Sequence, residues 1–312
     1  MNRSMPTFAE MLGKSIHITR LTFRAIGQDK EMLVFTALGS IFSLLFVVLM
    51  TFSLISHNQA AEFTSFEGAM GVQFIHYFLI YLGTALSATF FNTCVVYTAK
   101  TRFNGGDATF MDSLKFAVSR IHVILAWSLI AATVGVLLRM IESAAYRTGP
   151  AGAIIGRTFT RIMGAIWGII TIFVVPAMVY DNTGPFKAIR KSFTTVKKTW
   201  GDNLLRYVTF GALSSLLLIV GWVMILILTV SMVIGIGDIG NTIGFGLAVL
   251  YTICIAVLFS TATVVYNTAL YQYATTGDVP RPFTHWEMRN AFMSRPDDAH
   301  TPSWENRWHH RR

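Results

Sequence analysis

The chain has 312 residues, of which 53% are hydrophobic and only 13% are charged, whereas an average soluble domain carries about 25% charged residues. The mean hydropathy is +0.53, and the apolar runs are too long for the core helices of a soluble protein, which excludes a pair of soluble domains. The two cysteines exclude a disulfide scaffold, and the composition argues against a nucleic-acid binder even though the net charge is +9.

Six apolar segments are each long enough to cross a bilayer, which takes about 20 helical residues. The fourth begins beside Arg161, and the last two are longer than a crossing requires, which predicts tilt or extension beyond the headgroups. The pattern predicts an all-α membrane protein with six transmembrane helices. The segments are Met32–Ile55, Phe74–Ala99, Ile121–Ile141, Ile162–Tyr180, Tyr207–Ile236 and Ile243–Ala274.

Lysine and arginine are concentrated in alternate connections between these segments. The N-terminal segment, the second-to-third connection, the fourth-to-fifth connection and the tail hold all but four of the 25 basic residues. Loops rich in Lys and Arg stay on the cytoplasmic side, so both termini are predicted to be cytoplasmic, in the inner membrane. The four exceptions lie in or beside the middle opposite-side loop: Arg139, Arg147, Arg157 and Arg161.

A basic segment with helical periodicity precedes each pair of spans. Such segments are typical of amphipathic helices that lie at a membrane interface. The third copy has an apolar stripe of Phe186, Ile189, Phe193, Val196 and Trp200. Its surrounding basic residues are Lys187, Arg190, Lys191, Lys197 and Lys198. The first and second copies have stripes of Phe8, Met11, Leu12, Ile16, Phe23 and Ile26, and of Phe110, Leu114, Val118 and Ile121.

The ends of the span pairs also resemble one another. Gly105-Gly106-Asp107 follows the second span and Gly277-Asp278 follows the sixth. Such similarity at a fixed period indicates repeated units, and a unit with two spans keeps its orientation, so the copies are predicted to be parallel. The predicted organisation is a transmembrane domain of residues 1–276 with repeats of residues 8–105, 106–183 and 184–276. A basic tail of residues 277–312 containing Trp and Pro follows.

Several short motifs carry a family resemblance. The stretches Phe90-Phe91-Asn92, Gly105-Gly106-Asp107, Thr133-Val134-Gly135, Phe173-Val174-Val175-Pro176 and Thr199-Trp200-Gly201 together resemble an uncharacterised family of prokaryotic integral membrane proteins, over residues 8–275. That family has no assigned activity, so the resemblance gives no expectation of one. More distantly, the repeated unit is similar to the membrane domain attached to some glycerophosphodiester phosphodiesterases. Their catalysis belongs to a separate barrel, which needs about 250 residues, so residues 278–312 do not support transfer of the activity.

Four polar residues inside the predicted spans are candidate site residues, because polar groups in a bilayer are costly. Asn92 and Asn267 occupy equivalent repeat positions and either bind a headgroup or solute or hydrogen bond between helices. Arg139 and Glu142 are three residues apart on one helix face. They either form an ion pair near the outer membrane surface or take part in ligand binding or gating.

Three further features concern the packing of the spans. Pro176 is predicted to kink the fourth span. Three glycine pairs, Gly152/Gly156, Gly164/Gly168 and Gly240/Gly244, have a spacing that permits close helix approach within or between chains. Cys94 and Cys254 are predicted to be buried small residues.

The sequence contains no metal-ligand spacing, no catalytic constellation and no cofactor motif, so we expect no enzymatic activity and no cofactor. The leading hypothesis is a scaffold or accessory protein, with the third basic segment, Lys187 to Trp200, engaging anionic lipid or a partner complex at the cytoplasmic face. A homo-oligomer is compatible with it. The alternative is a transporter or channel for a lipid or small solute, lined by Asn92, Asn267 and Arg139.

Overall fold

The computed structural model describes residues 20–60, 66–200, 208–236 and 238–284. All regular structure in these ranges is helical, which confirms the all-α prediction. The helix of residues 20–28 is α1. The others are α2 Glu31–Ala60, α3 Phe66–Phe103, α4 Phe110–Ser119, α5 Ile121–Tyr146, α6 Pro150–Thr171, α7 Val174–Tyr180, α8 Pro185–Trp200, α9 Val208–Ile236 and α10 Asp238–Thr276.

Within the described ranges, five helical segments are long and apolar enough to cross a membrane, so the chain is a multi-pass membrane protein. They are Glu31–Ser56, Phe74–Phe103, Ile121–Tyr146, Pro150–Tyr180 and Ile239–Thr276. The remaining predicted span corresponds to α9, whose described apolar stretch, Ser215–Ser231, is shorter. The prediction of six spans therefore is confirmed for five, and the crossing by α9 stays a prediction.

The chain forms two compact units, residues 34–198 and residues 1–33 with 199–312. In the first unit, α2 and α3 form an antiparallel hairpin. The Ser87 hydroxyl of α3 donates to the Gly39 carbonyl of α2 at 3.0 Å. Further along the pair, a Cβ on Gly83 would overlap the ring of Phe46. A small residue and a backbone contact thus bring these two helices close together, as is usual for membrane helices.

The second hairpin of this unit is formed by α5 and α6. The indole rings of Trp127 and Trp167 stack with centroids 6.0 Å apart. The turn contains Gly149 at φ 95° followed by Pro150 at the first position of α6, a position that suits proline because its fixed φ is already helical. The fourth predicted span was expected to begin at Ile162. The helix starts at Pro150 instead, so residues predicted to lie in a loop are helical.

The fourth span is interrupted close to Pro176. Helix α6 ends at Thr171 and α7 begins at Val174. Proline has no N–H to donate to the carbonyl four residues earlier, and its ring crowds that carbonyl. Here that position is Ile172, which lies within the interruption. The predicted kink is therefore a break of the helix just before the proline.

In the unit that contains α9 and α10, these two helices form another antiparallel hairpin. The Tyr251 hydroxyl donates to the Leu217 carbonyl at 2.6 Å. A Cβ on Gly221 would overlap the Tyr251 ring, and one on Gly244 would overlap the Thr229 side chain. Of the predicted glycine pairs, Gly156 (against Ala145) and Gly244 lie at close approaches within the chain, whereas a Cβ on Gly168 would meet nothing within 4 Å.

A residue in the left-handed region follows the second helix of each described hairpin. These residues are Gly105, Asn182 and Gly277, with φ of 83°, 56° and 80°. Such residues end helices because glycine and asparagine tolerate positive φ. The predicted turns after the second and sixth spans are confirmed. The cysteine prediction is correct for Cys94, which is buried, and wrong for Cys254, which is exposed on the surface of α10.

Candidate functional site

The three short helices α1, α4 and α8, which lie within the segments predicted to be basic, each bury a stripe of mainly small side chains. Small residues allow a helix axis to approach its neighbour closely. The buried residues of α4 are Ser113 and Ala117. Those of α8 are Ala188, Ser192, Thr195 and Val196. In α1 the buried residues include Thr22, Ala25 and Ile26.

Helix α4 is attached to the end of α3 by a buried hydroxyl pair. The Oγ1 of Thr98 and the Oγ of Ser113 are 2.7 Å apart. Beside them the rings of Tyr97 and Phe116 stack with centroids 4.4 Å apart. The Thr98 hydroxyl also donates to the Cys94 carbonyl at 3.0 Å, which leaves Ser113 to donate the shared hydrogen bond. This bond fixes the position of α4, because a buried Ser113 hydroxyl without it would lose its hydration without compensation.

The start of α4 is fixed by a capping box. The Thr109 hydroxyl accepts from the backbone N–H of Asp112, and the Asp112 carboxylate accepts from the backbone N–H of Thr109. Hydrogen bonds from the Thr109 side chain and backbone, with a smaller contribution from the charge of Lys115, hold the pKa of Asp112 below its ordinary value. The carboxylate therefore stays ionised at the helix N-terminus, where negative charge is favoured.

Helix α8 is attached to the interruption of the fourth span. The Ser192 hydroxyl donates to the Ile170 carbonyl at 2.6 Å and accepts from the Phe173 N–H at 3.1 Å. Both backbone groups lie where the hydrogen bonding along the helix backbone is interrupted. Burying a backbone group without a hydrogen-bond partner costs free energy. One side chain of α8 thus satisfies two groups of the interrupted span.

The outward face of α8 combines large apolar and basic side chains. Phe186 is 76% exposed and Phe193 is 47% exposed, and Lys187, Arg190 and Lys197 are exposed as well. Among the stripe residues whose side chains the structure describes, Val196 alone is buried against the protein. The stripe faces outward because the tight contact is made by the small residues Ala188 and Ser192. The side chains of Lys198 and Trp200 lie outside the described residues.

Helix α4 presents a similar outward face. Met111 and Val118 are exposed large apolar residues, and Lys115 is exposed on the same helix. The stripe predicted for this helix included Val118, which is turned away from the protein. For the first basic helix, Arg20 and Arg24 are exposed, whereas the predicted stripe residues Phe8 to Ile16 lie outside the described residues.

The basic residue Lys191 differs from its neighbours because it forms an ion pair. Its Nζ is 2.7 Å from Asp181, which follows α7. On the adjacent α3, the Lys100 Nζ donates to the Val179 carbonyl at 3.2 Å and lies over the Tyr180 ring. The last carbonyls of a helix carry partial negative charge, so these two lysines stabilise the end of the interrupted span.

A cavity of about 350 Å³ lies between α3, α5 and α6 near the α5–α6 turn. It contains the predicted pair: an Arg139 Nη is 3.5 Å from the Glu142 carboxylate. A second arginine, Arg157, is 3.9 Å from the other oxygen of Glu142. This cavity, called the arginine cavity below, is lined by residues that include Tyr81, Gly135, Arg139, Glu142, Arg157 and Arg161.

Two of these arginines lie against aromatic rings. The Arg139 guanidinium is 5.6 Å from the ring centroid of Tyr77 on α3. Arg157 lies 5.5 Å from the ring centroid of Tyr146 and donates to its hydroxyl. Guanidinium groups stack favourably on aromatic faces, so the rings hold these side chains at the edge of the cavity.

The two asparagines belong to different units. Asn92 is half-buried on α3, and Asn267 is buried on α10. Each unit is defined by its own contacts, so the hypothesis that the two side chains face a common ligand stays a prediction.

Three residues at these sites were missed by sequence reasoning. Ser113 and Ser192 are small polar residues within α4 and α8. The sequence pattern that could have identified them is a second small residue four positions away, Ala117 for Ser113 and Ala188 for Ser192. Arg157 was placed beside a loop. It joins Glu142 only because α6 begins at Pro150, and no local pattern in the sequence shows that pairing.

Comparison with known proteins gives one family. A family model described as a family of unknown function (DUF6159) matches residues 71–280. The matched region runs from α3 to the end of α10 and includes α4, α8 and the arginine cavity. A search of the curated proteins finds no match to this sequence.

Proposed function

The chain belongs to the DUF6159 family of unknown function, and on this premise we propose that it is a non-enzymatic membrane scaffold whose basic helices bind anionic lipid at the cytoplasmic face. The observation that carries the proposal is the division of α8 into two faces. Ala188 and Ser192 are buried against the protein, whereas Phe186 and Phe193 are exposed beside exposed lysine and arginine residues.

Such a face suits the boundary between headgroups and acyl chains. Large apolar side chains gain about 1.5–3 kcal/mol each on leaving water. Each basic side chain near an anionic surface adds about 1 kcal/mol. The exposed cations of α8, Lys187, Arg190 and Lys197, therefore favour anionic over neutral lipid by roughly 100-fold at low ionic strength.

The same arrangement at three places supports the predicted three parallel repeats. Helix α4 packs on α3 through Ser113 and Thr98, and α8 packs on the end of α6 through Ser192. In the other unit, Phe23 of α1 packs edge to face on Phe259 of α10, with centroids 5.8 Å apart. Each basic helix thus contacts the second helix of a hairpin. Under this proposal α9 is the sixth span and both termini are cytoplasmic.

The alternative, a transporter or channel, requires a polar pathway through the helices. In the unit of residues 34–198 the largest fully buried side chains are apolar: Phe35, Phe173, Ile124, Val95, Val96 and Val174. This packing favours a scaffold over a pathway. Under the same proposal, the likeness to membrane domains attached to some glycerophosphodiester phosphodiesterases reflects a shared scaffold and no shared chemistry.

The proposal is tested by measuring which lipids the full chain retains. The protein is purified from nanodiscs containing equal phosphatidylcholine and phosphatidylglycerol, and the retained lipid is quantified by mass spectrometry. We expect enrichment of phosphatidylglycerol and its loss in the K187Q/R190Q/K197Q variant. The charge-conserving variant K187R/R190K/K197R is the matched control and should retain it. Equal enrichment in the neutralised variant would overturn the proposal.

A further inference from the structure

We propose that the arginine cavity between α3, α5 and α6 binds a phosphate group. This site is separate from the basic helices. Arg139 follows Ile121, the first residue of α5, by 18 positions, which is about 27 Å along a helix. The cavity therefore lies at the opposite end of α5 from α4, near the predicted outer membrane surface.

The charge balance of the cavity favours an anion. Three guanidinium groups, those of Arg139, Arg157 and Arg161, line it together with one carboxylate, Glu142. Glu142 pairs with the first two at 3.5 and 3.9 Å. Among the residues that the structure describes, Arg161 has no acidic partner. The lining thus carries a formal surplus of two positive charges, opposite in sign to the charge of a phosphate group.

The size and donor set of the cavity suit a phosphate group. The cavity volume of about 350 Å³ lies in the range of small-ligand sites. Guanidinium forks bind phosphate oxygens through paired hydrogen bonds. The rings of Tyr77 and Tyr146 hold the guanidinium groups of Arg139 and Arg157 in place, which reduces the conformational entropy lost on binding. Gly135 leaves room for the Tyr81 ring, because a Cβ there would lie 2.8 Å from that ring.

The phosphate can belong to a lipid or to a soluble molecule. Around the cavity, Leu137, Ile154 and Phe159 are exposed apolar side chains on the same two helices. They would contact the acyl chains of a phospholipid whose headgroup entered the cavity. A soluble phosphate would reach the same arginines from the aqueous side. The chemistry of recognition is the same in both cases, so the experiment has one arm for each source.

The soluble arm uses the full chain in phosphatidylcholine nanodiscs and radiolabelled inorganic phosphate in equilibrium dialysis. The lipid arm uses native mass spectrometry of the protein released from nanodiscs that contain phosphatidylglycerol or, as the phosphate-free comparison, diacylglycerol. The expected result is saturable phosphate binding by the wild-type protein, or retention of phosphatidylglycerol over diacylglycerol by the K187Q/R190Q/K197Q variant, in which lipid bound by α8 does not contribute. Whichever arm is positive, the variant R139Q/R161Q should lower binding by about tenfold or more, because charged hydrogen bonds are lost.

Two variants keep the test decisive. R147Q removes a charge from the same turn, outside the cavity lining, and should bind within about twofold of wild type. R161K keeps the positive charge but loses the paired N–H donors of the guanidinium group. This variant should bind phosphate more weakly than wild type and unfold at the same temperature. In the soluble arm the K187Q/R190Q/K197Q variant should bind phosphate as wild type does, and in the lipid arm this variant is the background for the cavity substitutions, which separates the two sites. Absence of binding in both arms, or undiminished binding by R139Q/R161Q, would overturn the inference.

Discussion

The Ser192 hydroxyl of α8 donates to the Ile170 carbonyl of α6 at 2.6 Å. A basic helix is therefore hydrogen-bonded directly to an interrupted membrane span. The same oxygen accepts from the Phe173 N–H across the interruption. The position of α8 and the conformation of the fourth span are consequently linked through one side chain.

Replacing Ser192 by alanine should destabilise the protein by about 1–3 kcal/mol, because two buried backbone groups lose their partner. The measurement is thermal unfolding in neutral nanodiscs. Thr194→Ala is the matched control, since the Thr194 hydroxyl is exposed and bonds only to the Arg190 carbonyl of its own helix. An equal shift in the two variants would contradict the role assigned to Ser192.

Replacing Gly83 by alanine should also destabilise the protein. The new Cβ would overlap the Phe46 ring, and overpacking in a tight contact costs about 1–3 kcal/mol. Gly168→Ala is the control, because a Cβ there meets nothing within 4 Å, and alanine stabilises a helix by up to about 1 kcal/mol relative to glycine. Thermal unfolding should shift in opposite directions for the two variants.

The capping carboxylate of α4 should make stability depend on pH. The pKa of Asp112 is lowered in the folded protein from its ordinary value of 3.8, first by the Thr109 side chain. Its stabilising contribution is fully present above that ordinary value and is lost as pH falls through the lower, folded pKa. The unfolding temperature of wild type should therefore fall more steeply below this value than that of D112N. D107N, which alters an exposed carboxylate paired with Arg102, should behave like wild type in this range.

The spans were predictable because a bilayer demands long apolar runs, and this demand acts on each segment separately. The early start of α6 was not predictable, because Arg157 and Arg161 lower the hydropathy of its first half. Gly149 and Pro150 form the turn from which the helix starts. The ion pair of Arg139 with Glu142 followed from spacing within one helix. The participation of Arg157 depends on how α5 and α6 align, which is a tertiary property.

The apolar stripe of α8 was predicted to lie at the membrane interface, but its periodicity did not show which residues pack on the protein. In a soluble protein the largest apolar side chains face the core. At a membrane they can face lipid, and small residues then make the close contact between helices. Phe193 and Ser192 are adjacent in sequence and lie on these two different faces, one exposed and the other buried. Periodicity alone located the stripe but not the surface that it contacts.

We propose that the outward face of α8 lies in the membrane interface. This placement is tested by the depth of single spin labels at positions 186, 193 and 197, in a chain with Cys94 and Cys254 replaced, reconstituted in anionic nanodiscs. The labels at 186 and 193 should be accessible to oxygen and protected from a water-soluble nickel reagent, and the label at 197 should be closer to water. Full accessibility of all three labels to the nickel reagent would contradict the claim.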